Sequence, residues 1–95
     1  MIVGFACKET HRIWTGERSR RFPADMQDTA LRKLRMLNAA LKLDDLKVPP
    51  GNRLEHLKGR RKGQCSIRIN EQWRICFVWD HGQGGPSGVE IVDYH

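Results

Sequence analysis

The residues best suited to chemistry are cations and proton-transfer groups, and they cluster in three places. Lys58-Gly59-Arg60-Arg61-Lys62 puts four cations into five residues, with a glycine that lets the backbone turn. Such a loop can grip successive phosphates, because neutralising them releases condensed counterions. It can equally be a charged turn that serves only solubility. Arg74 stands inside an otherwise apolar stretch, Trp73 to Trp79, where a charge is costly unless it has a partner. One reading pairs it with Glu90 or Asp93. The other aims its planar fork of donors into a cleft, where it would fit a phosphate. The second is favoured, since a buried ion pair gives little stability over an apolar alternative. Asp93-Tyr94-His95 gathers an acid, a phenol and an imidazole within three residues. These matter if the strand that carries them returns beside Arg74 and Lys58.

Other chemistries find no support. His11, His56, His81 and His95 are dispersed, and neither they nor Cys7, Cys65 and Cys76 show zinc-site spacing. Glycine-rich phosphate loops, dinucleotide fingerprints and the G-x-S-x-G elbow are missing. Three cysteines cannot all pair within one chain, and their spacing suits free thiols in a reducing compartment, so the cytoplasm is the expected address.

The elements that must position these groups read as follows. Ile2–Cys7 is expected as a strand and Glu9–Trp14 as a short helix or irregular turn. Arg18–Arg21, with three arginines in four residues, reads as a solvated connection. Pro23 suits a first helical turn and Asp25 complements the positive helix end there. From Pro23 to Leu43 the apolar period is helical: Met26, Ala30, Leu34, Leu37 and Leu41 fall within an arc of roughly 80°. Asp28, Arg32, Arg35 and Lys42 lie opposite. Pro49-Pro50-Gly51-Asn52 breaks the chain into a loop. Cys65, Ile67 and Ile69 alternate with Ser66, Arg68 and Asn70, as in a half-buried strand. Trp73–Trp79 is apolar on both faces and so should be central in a sheet. Asn70-Glu71-Gln72 is the turn between them, Gly82–Gly88 a flexible loop, and Val89–Val92 the last strand. One strand, helical material and an antiparallel meander make an α+β domain.

Composition agrees. The chain has 95 residues, 39% hydrophobic and 29% charged, which is one globular domain spanning 1–95 with a small core. Seventeen Lys and Arg against eleven Asp and Glu give a net charge of +6, so a polyanion is the default partner, most commonly nucleic acid. Neither apolar run, Met1–Cys7 or Ile75–Trp79, approaches a membrane span, and no membrane association is expected.

Taken in order, Asn52-Arg53-Leu54-Glu55-His56-Leu57-Lys58-Gly59, Gly63-Gln64-Cys65-Ser66-Ile67-Arg68-Ile69, Gln72-Trp73-Arg74-Ile75 and Val92-Asp93-Tyr94-His95 resemble one family. It is the HigB/GraT-type branch of the RelE/ParE toxin superfamily, the toxins of bacterial toxin–antitoxin pairs. The pieces L-x-x-L-K-G, S-I-R-[IV]-N, W-R-[IL] and D-Y-H are modest singly and specific at these spacings.

The resemblance implies N-terminal helices packed on a four- to five-stranded, mainly antiparallel sheet. It implies a ribosome-dependent endoribonuclease that needs no metal or cofactor and cuts mRNA in the decoding site of the 70S ribosome. Lys58, Arg74, Asp93, Tyr94 and His95 match the family's catalytic positions. Arg74 and Lys58 would stabilise the phosphorane, while Tyr94, His95 and Asp93 would orient and exchange protons. Arg53, Arg60, Arg61, Lys62 and Arg68, with Arg18, Arg20 and Arg21, are the expected contacts to nucleic acid, ribosomal RNA included. The partner would be a HigA-like helix-turn-helix antitoxin, through which the pair reaches its operator DNA.

One departure stands out. Some relatives carry a histidine three residues before the motif lysine, where this chain has Glu55. Its neighbour His56 would project from the opposite side of an extended segment. A carboxylate base needs a raised pKa, and surrounding cations push the other way. Two other readings stay open: a ParE-like toxin that inhibits DNA gyrase without cutting RNA, and a basic nucleic-acid-binding module without toxicity.

Overall fold

The alternating stretches become the centre of a four-stranded antiparallel meander, seen in a computed structural model that describes residues 1–93. Its strands are β1 (Glu55–His56), β2 (Cys65–Arg68), β3 (Trp73–Asp80) and β4 (Gly85–Asp93), in spatial order β1-β2-β3-β4. Because side chains alternate along a strand, the register sorts them onto two faces. Ile67, Ile75 and Ile91 line up across β2, β3 and β4 on one face, all buried. Helices α1 (Lys8–Trp14) and α2 (Ala24–Ala39) cover that face. Ile13, Phe22, Met26, Ala30, Leu34 and Leu37 complete its core. Each large side chain so buried contributes about 1.5–3 kcal/mol. Thr10 ties α1 to the sheet by accepting the Ile91 backbone N–H through its hydroxyl at 2.9 Å.

Helix α2 stops earlier than its apolar period suggested. The Asp45 carboxylate accepts the backbone N–H groups of Leu41 and Lys42, at 2.9 and 3.2 Å, and so draws both residues out of the helix. Leu41, expected on the buried stripe, is therefore 86% exposed. Lys33 takes an unexpected place inside. Its ammonium donates to Asn52 Oδ1 at 2.5 Å, and Asn52, fully buried, donates in turn to the carbonyls of Leu46 and Val48. Burial lowers the Lys33 pKa, and the positive charge of Arg32 lowers it further. This pin holds the 49–53 turn against α2.

Three further expectations are corrected. Ile2–Cys7 forms no regular strand: it runs beside β4 with one parallel bridge, Phe5 to Val89, plus the hydrogen bond from Val3 N–H to Pro86 C=O. Gly82–Gly88 is not a flexible loop. The chain turns within Asp80–Gly85, where Asp80 accepts from the Gly84 and Gln83 backbones, and Gly85–Gly88 already belong to β4. Gly85 must be glycine because the Met1 carbonyl occupies the space a Cβ would need. Arg18–Arg21 is more than a solvated connection. Ser19 is buried, its N–H and C=O both held by the Gln27 side chain. The Asn70–Gln72 turn is as expected, closed by Asn70 Oδ1 accepting from the Gln72 and Trp73 backbones.

Candidate active site

Among the described residues neither α-helix covers the second face of the sheet, the open one, and its central rows are largely polar. Glu55, Ser66, Cys76 and Glu90 form one row across all four strands, and Arg68 and Arg74 stand opposite one another in the next. Directly opposed like charges are destabilising by themselves. A sheet face that keeps two arginines side by side suits an anion.

Arg74 is 6% exposed, yet its guanidinium is richly engaged. Nε donates to Ser66 Oγ at 2.7 Å, and Nη2 donates to the carbonyls of Arg53, at 2.6 Å, and Ser66, at 3.2 Å. The Glu55 carboxylate lies 3.9 Å from Nη1. Fixing a planar fork from several sides removes the desolvation problem of a buried charge and leaves it pre-oriented. Arg53 supplies its carbonyl from a left-handed conformation, φ 44°, that few non-glycine residues adopt. Its side chain stays exposed. The use of Arg53 as a backbone acceptor, and of Ser66 as the Nε partner, escaped the sequence. Ser66 sits at a polar position of the β2 alternation, which is the signal that could have found it.

Glu90, one of the two carboxylates expected beside Arg74, pairs with Arg61 at 2.8 Å, and Arg61 also donates to Gln64 Oε1 at 3.0 Å. The Glu90 hydrogen bond raises the Arg61 pKa further above its ordinary value. Cys76, next to Glu90 in the same row, is fully buried, and burial pushes its thiol up although Arg61 and Arg74 both favour the thiolate. The 57–64 loop therefore comes back over the polar face. Glu55, His56, Leu57, Lys58, Arg60 and Arg61 line a concavity of about 450 Å³ at the β1 edge, which Arg74 adjoins through Glu55.

Glu55 and His56 do part company. Glu55 pairs with Ser66 and lies beside Arg74, whereas His56 pairs with core Cys65, whose Sγ is 3.4 Å from His56 Nδ1. Asp93 ends β4 in register with Trp73, whereas Arg74 is in register with Val92, so alternation sets Asp93 on the face opposite Arg74, where it accepts from Gln72 Nε2 at 3.1 Å. Tyr94 and His95 lie outside the described residues. Of the remaining cations, Lys58, Arg60 and Lys62 are exposed on the loop. Arg18 is engaged with Asp28 at 3.1 Å on the helical side, Arg20 is exposed, and Arg21 stacks over Phe22. Cys7, Cys65 and Cys76 are free thiols, as their spacing suggested.

The arrangement can hold a phosphate between a fixed guanidinium and the exposed cations of the neighbouring loop. Residues 4–95 match the HigB-like toxin family, described as the RelE-like toxin of the type II toxin–antitoxin system HigB. The chain belongs to that family. Toxin HigB-1 of Vibrio cholerae serotype O1 is 48% identical over 66 residues, 70% of each chain. An uncharacterised protein of Haemophilus influenzae is 31% identical over 68 residues, covering 72% of this chain and 67% of its own. The fold matches a YoeB/ParE toxin from Agrobacterium tumefaciens with a TM-score of 0.52 at 21% identity, covering 99% of this chain and 97% of that one. As a HigB-like toxin, the protein has a toxin role within a type II system, which implies an antitoxin partner. Among the described residues no helix is long and apolar enough to cross a membrane.

Proposed function

We propose that this HigB-like toxin is a ribosome-dependent endoribonuclease that cuts mRNA in the decoding site, and that a HigA-like antitoxin neutralises it. The observation that carries the reading is Arg74: a buried guanidinium, fixed by Ser66 and two carbonyls, beside Glu55, which in turn shares a concavity with Lys58, Arg60 and Arg61. A fixed donor array of this kind stabilises charge that develops during reaction, without reorganising at that moment.

In the proposed reaction the RNA 2′-oxygen attacks the adjacent phosphorus. The 2′-O–P bond forms as the bond to the 5′-oxygen breaks, giving a 2′,3′-cyclic phosphate and a 5′-hydroxyl. The 2′ proton leaves to a base and the 5′-oxygen gains one from an acid, so no metal is required. Arg74 and Lys58 stabilise the pentavalent phosphorus. Tyr94 and His95 orient the nucleotide and exchange the protons, with Asp93, at the end of β4, in a supporting role. Glu55 is placed to steer Arg74 rather than to substitute for a missing histidine, and His56, on the other side of β1, takes no direct part. Arg53, Arg60, Lys62 and Arg68, with Arg20 and Arg21, supply salt-sensitive contacts to ribosomal RNA.

Purified toxin mixed with ribosomes programmed with a defined mRNA tests this. The expected result is a cut at one codon position, with new 5′ ends that accept a ligation adaptor only after kinase treatment. Intact mRNA, together with inhibition of DNA gyrase in a supercoiling assay, would replace the reading with a ParE-like one.

A further inference from the structure

The loop that brings Lys58 and Arg60 to the polar face has few anchors. It leaves β1 after His56, rejoins at Cys65, and closes at its base through the Leu57 N–H to Gln64 C=O bond at 2.9 Å. Its other backbone bonds, Arg61 to Lys58, Lys62 to Gly59 and Gln64 to Arg61, stay inside it. Gly59 and Gly63 have φ of 65° and 93°, a left-handed conformation that glycine adopts without strain and that lets the loop turn. Among the described residues, the hydrogen bond that leaves the loop is Arg61 Nη1 to Glu90 Oε1 at 2.8 Å. It spans β2 and β3 to reach β4 and passes over Cys76, with Arg74 on the same face.

We propose that Arg61 and Glu90 are positioning residues: their ion pair straps the 58–62 loop across the sheet and sets where Lys58 and Arg60 stand relative to Arg74. This rests on the endoribonuclease reading, gives Arg61 a role other than contact with nucleic acid, and adds Glu90, to which the motif resemblance assigned none. The side chains are 40% and 28% exposed, and pairs so exposed contribute little to stability. What the pair supplies is geometry. Arg61 spends a donor on Glu90 and Gln64, so it acts on the loop rather than on ribosomal RNA. Glu90 lies on the register row of Glu55, so each end of that row holds one arginine of the face.

The test compares wild type, Glu90→Gln, and the charge swap Arg61→Glu/Glu90→Arg. Amide exchange on the free toxin reports the strap. In Glu90→Gln the Arg61, Lys62 and Gln64 amides are expected to exchange about tenfold faster, with β3 amides unchanged. On programmed ribosomes at saturation, the single-turnover cleavage rate is expected to fall about tenfold, because misplaced catalytic groups cost rate steeply. Ribosome affinity should change less than about threefold, and the swap should recover most of the rate. Unchanged loop exchange in Glu90→Gln overturns the strap. A loosened loop with a wild-type cleavage rate overturns its positioning role, as does a swap that restores neither quantity while folded. Wild-type toxin that cuts no mRNA defeats the proposed function and the catalytic half of this inference, while exchange still decides the strap.

Discussion

On the helix side of the sheet, Ile67, Ile75 and Ile91 form a row whose members are alike and buried; on the open side the neighbouring row runs Glu55, Ser66, Cys76, Glu90. The first row is held by area. Its side chains need only be apolar and of fitting volume, and their contribution scales with the surface they remove from water. The second row is held by partners. Ser66 exists for Arg74, Glu90 for Arg61, and each bond fixes a direction more than it adds stability. In a chain of 95 residues one face must therefore carry the folding, so that the other can keep charges in costly positions.

Substitutions can break this comparison in either direction. Leu34→Ala, in the fully buried part of α2, is expected to cost about 2–5 kcal/mol in chemical denaturation. Cleavage per folded molecule should stay unchanged. Ser66→Ala should cost less stability, about 1.5–3 kcal/mol for a hydrogen bond lost to a buried charge, but about tenfold in cleavage rate as Arg74 loses the partner of its Nε. If Ser66→Ala lowered stability as much as Leu34→Ala and left the rate intact, the division between faces would be wrong.

The smallest effect sharpens the helical side. The Glu9 pKa is lowered, chiefly by the Ser19 hydroxyl donating to it at 2.6 Å, against some desolvation and with help from Arg12. A carboxyl depressed in the folded state contributes stability that is full above its ordinary value of 4.5 and is lost as pH falls through the lower folded value. Denaturation midpoints followed from about pH 6 to about pH 3 should therefore drop less in Glu9→Gln than in wild type. Cleavage at neutral pH should be the same in both.

Much of the apolar side was legible in the sequence, because period 3.6 and period 2 are written into residue order. The α2 stripe from Met26 to Leu37, the alternation from Cys65 to Ile69 and the centrality of β3 all follow from it. Leu41 was misplaced because a carboxylate four residues on, Asp45, competes for backbone donors, which periodicity does not register. Gly85–Gly88 looked like loop because glycine, proline and serine carry turn propensity. There the close pass of Met1 decided otherwise, and only tertiary structure contains that contact. On the polar side the important cations were visible by type and spacing, since Arg74 interrupts an apolar strand. Their partners were not. Which carboxylate reaches which arginine depends on register, so Glu55 beside Arg74 and Glu90 beside Arg61 could be read only from the folded sheet.

The central claim is that the fixed guanidinium of the open face does the chemistry. It is tested most directly by the single-turnover cleavage rate of ribosome-bound mRNA by Arg74→Lys and Arg74→Ala, on protein shown by circular dichroism to be folded. Neither substitute can span Ser66, the Arg53 carbonyl and a phosphate at once. The account predicts a loss of about 10²–10³-fold for both, with the cut site unmoved. Cleavage within about threefold of wild type, at the same codon position, would contradict it.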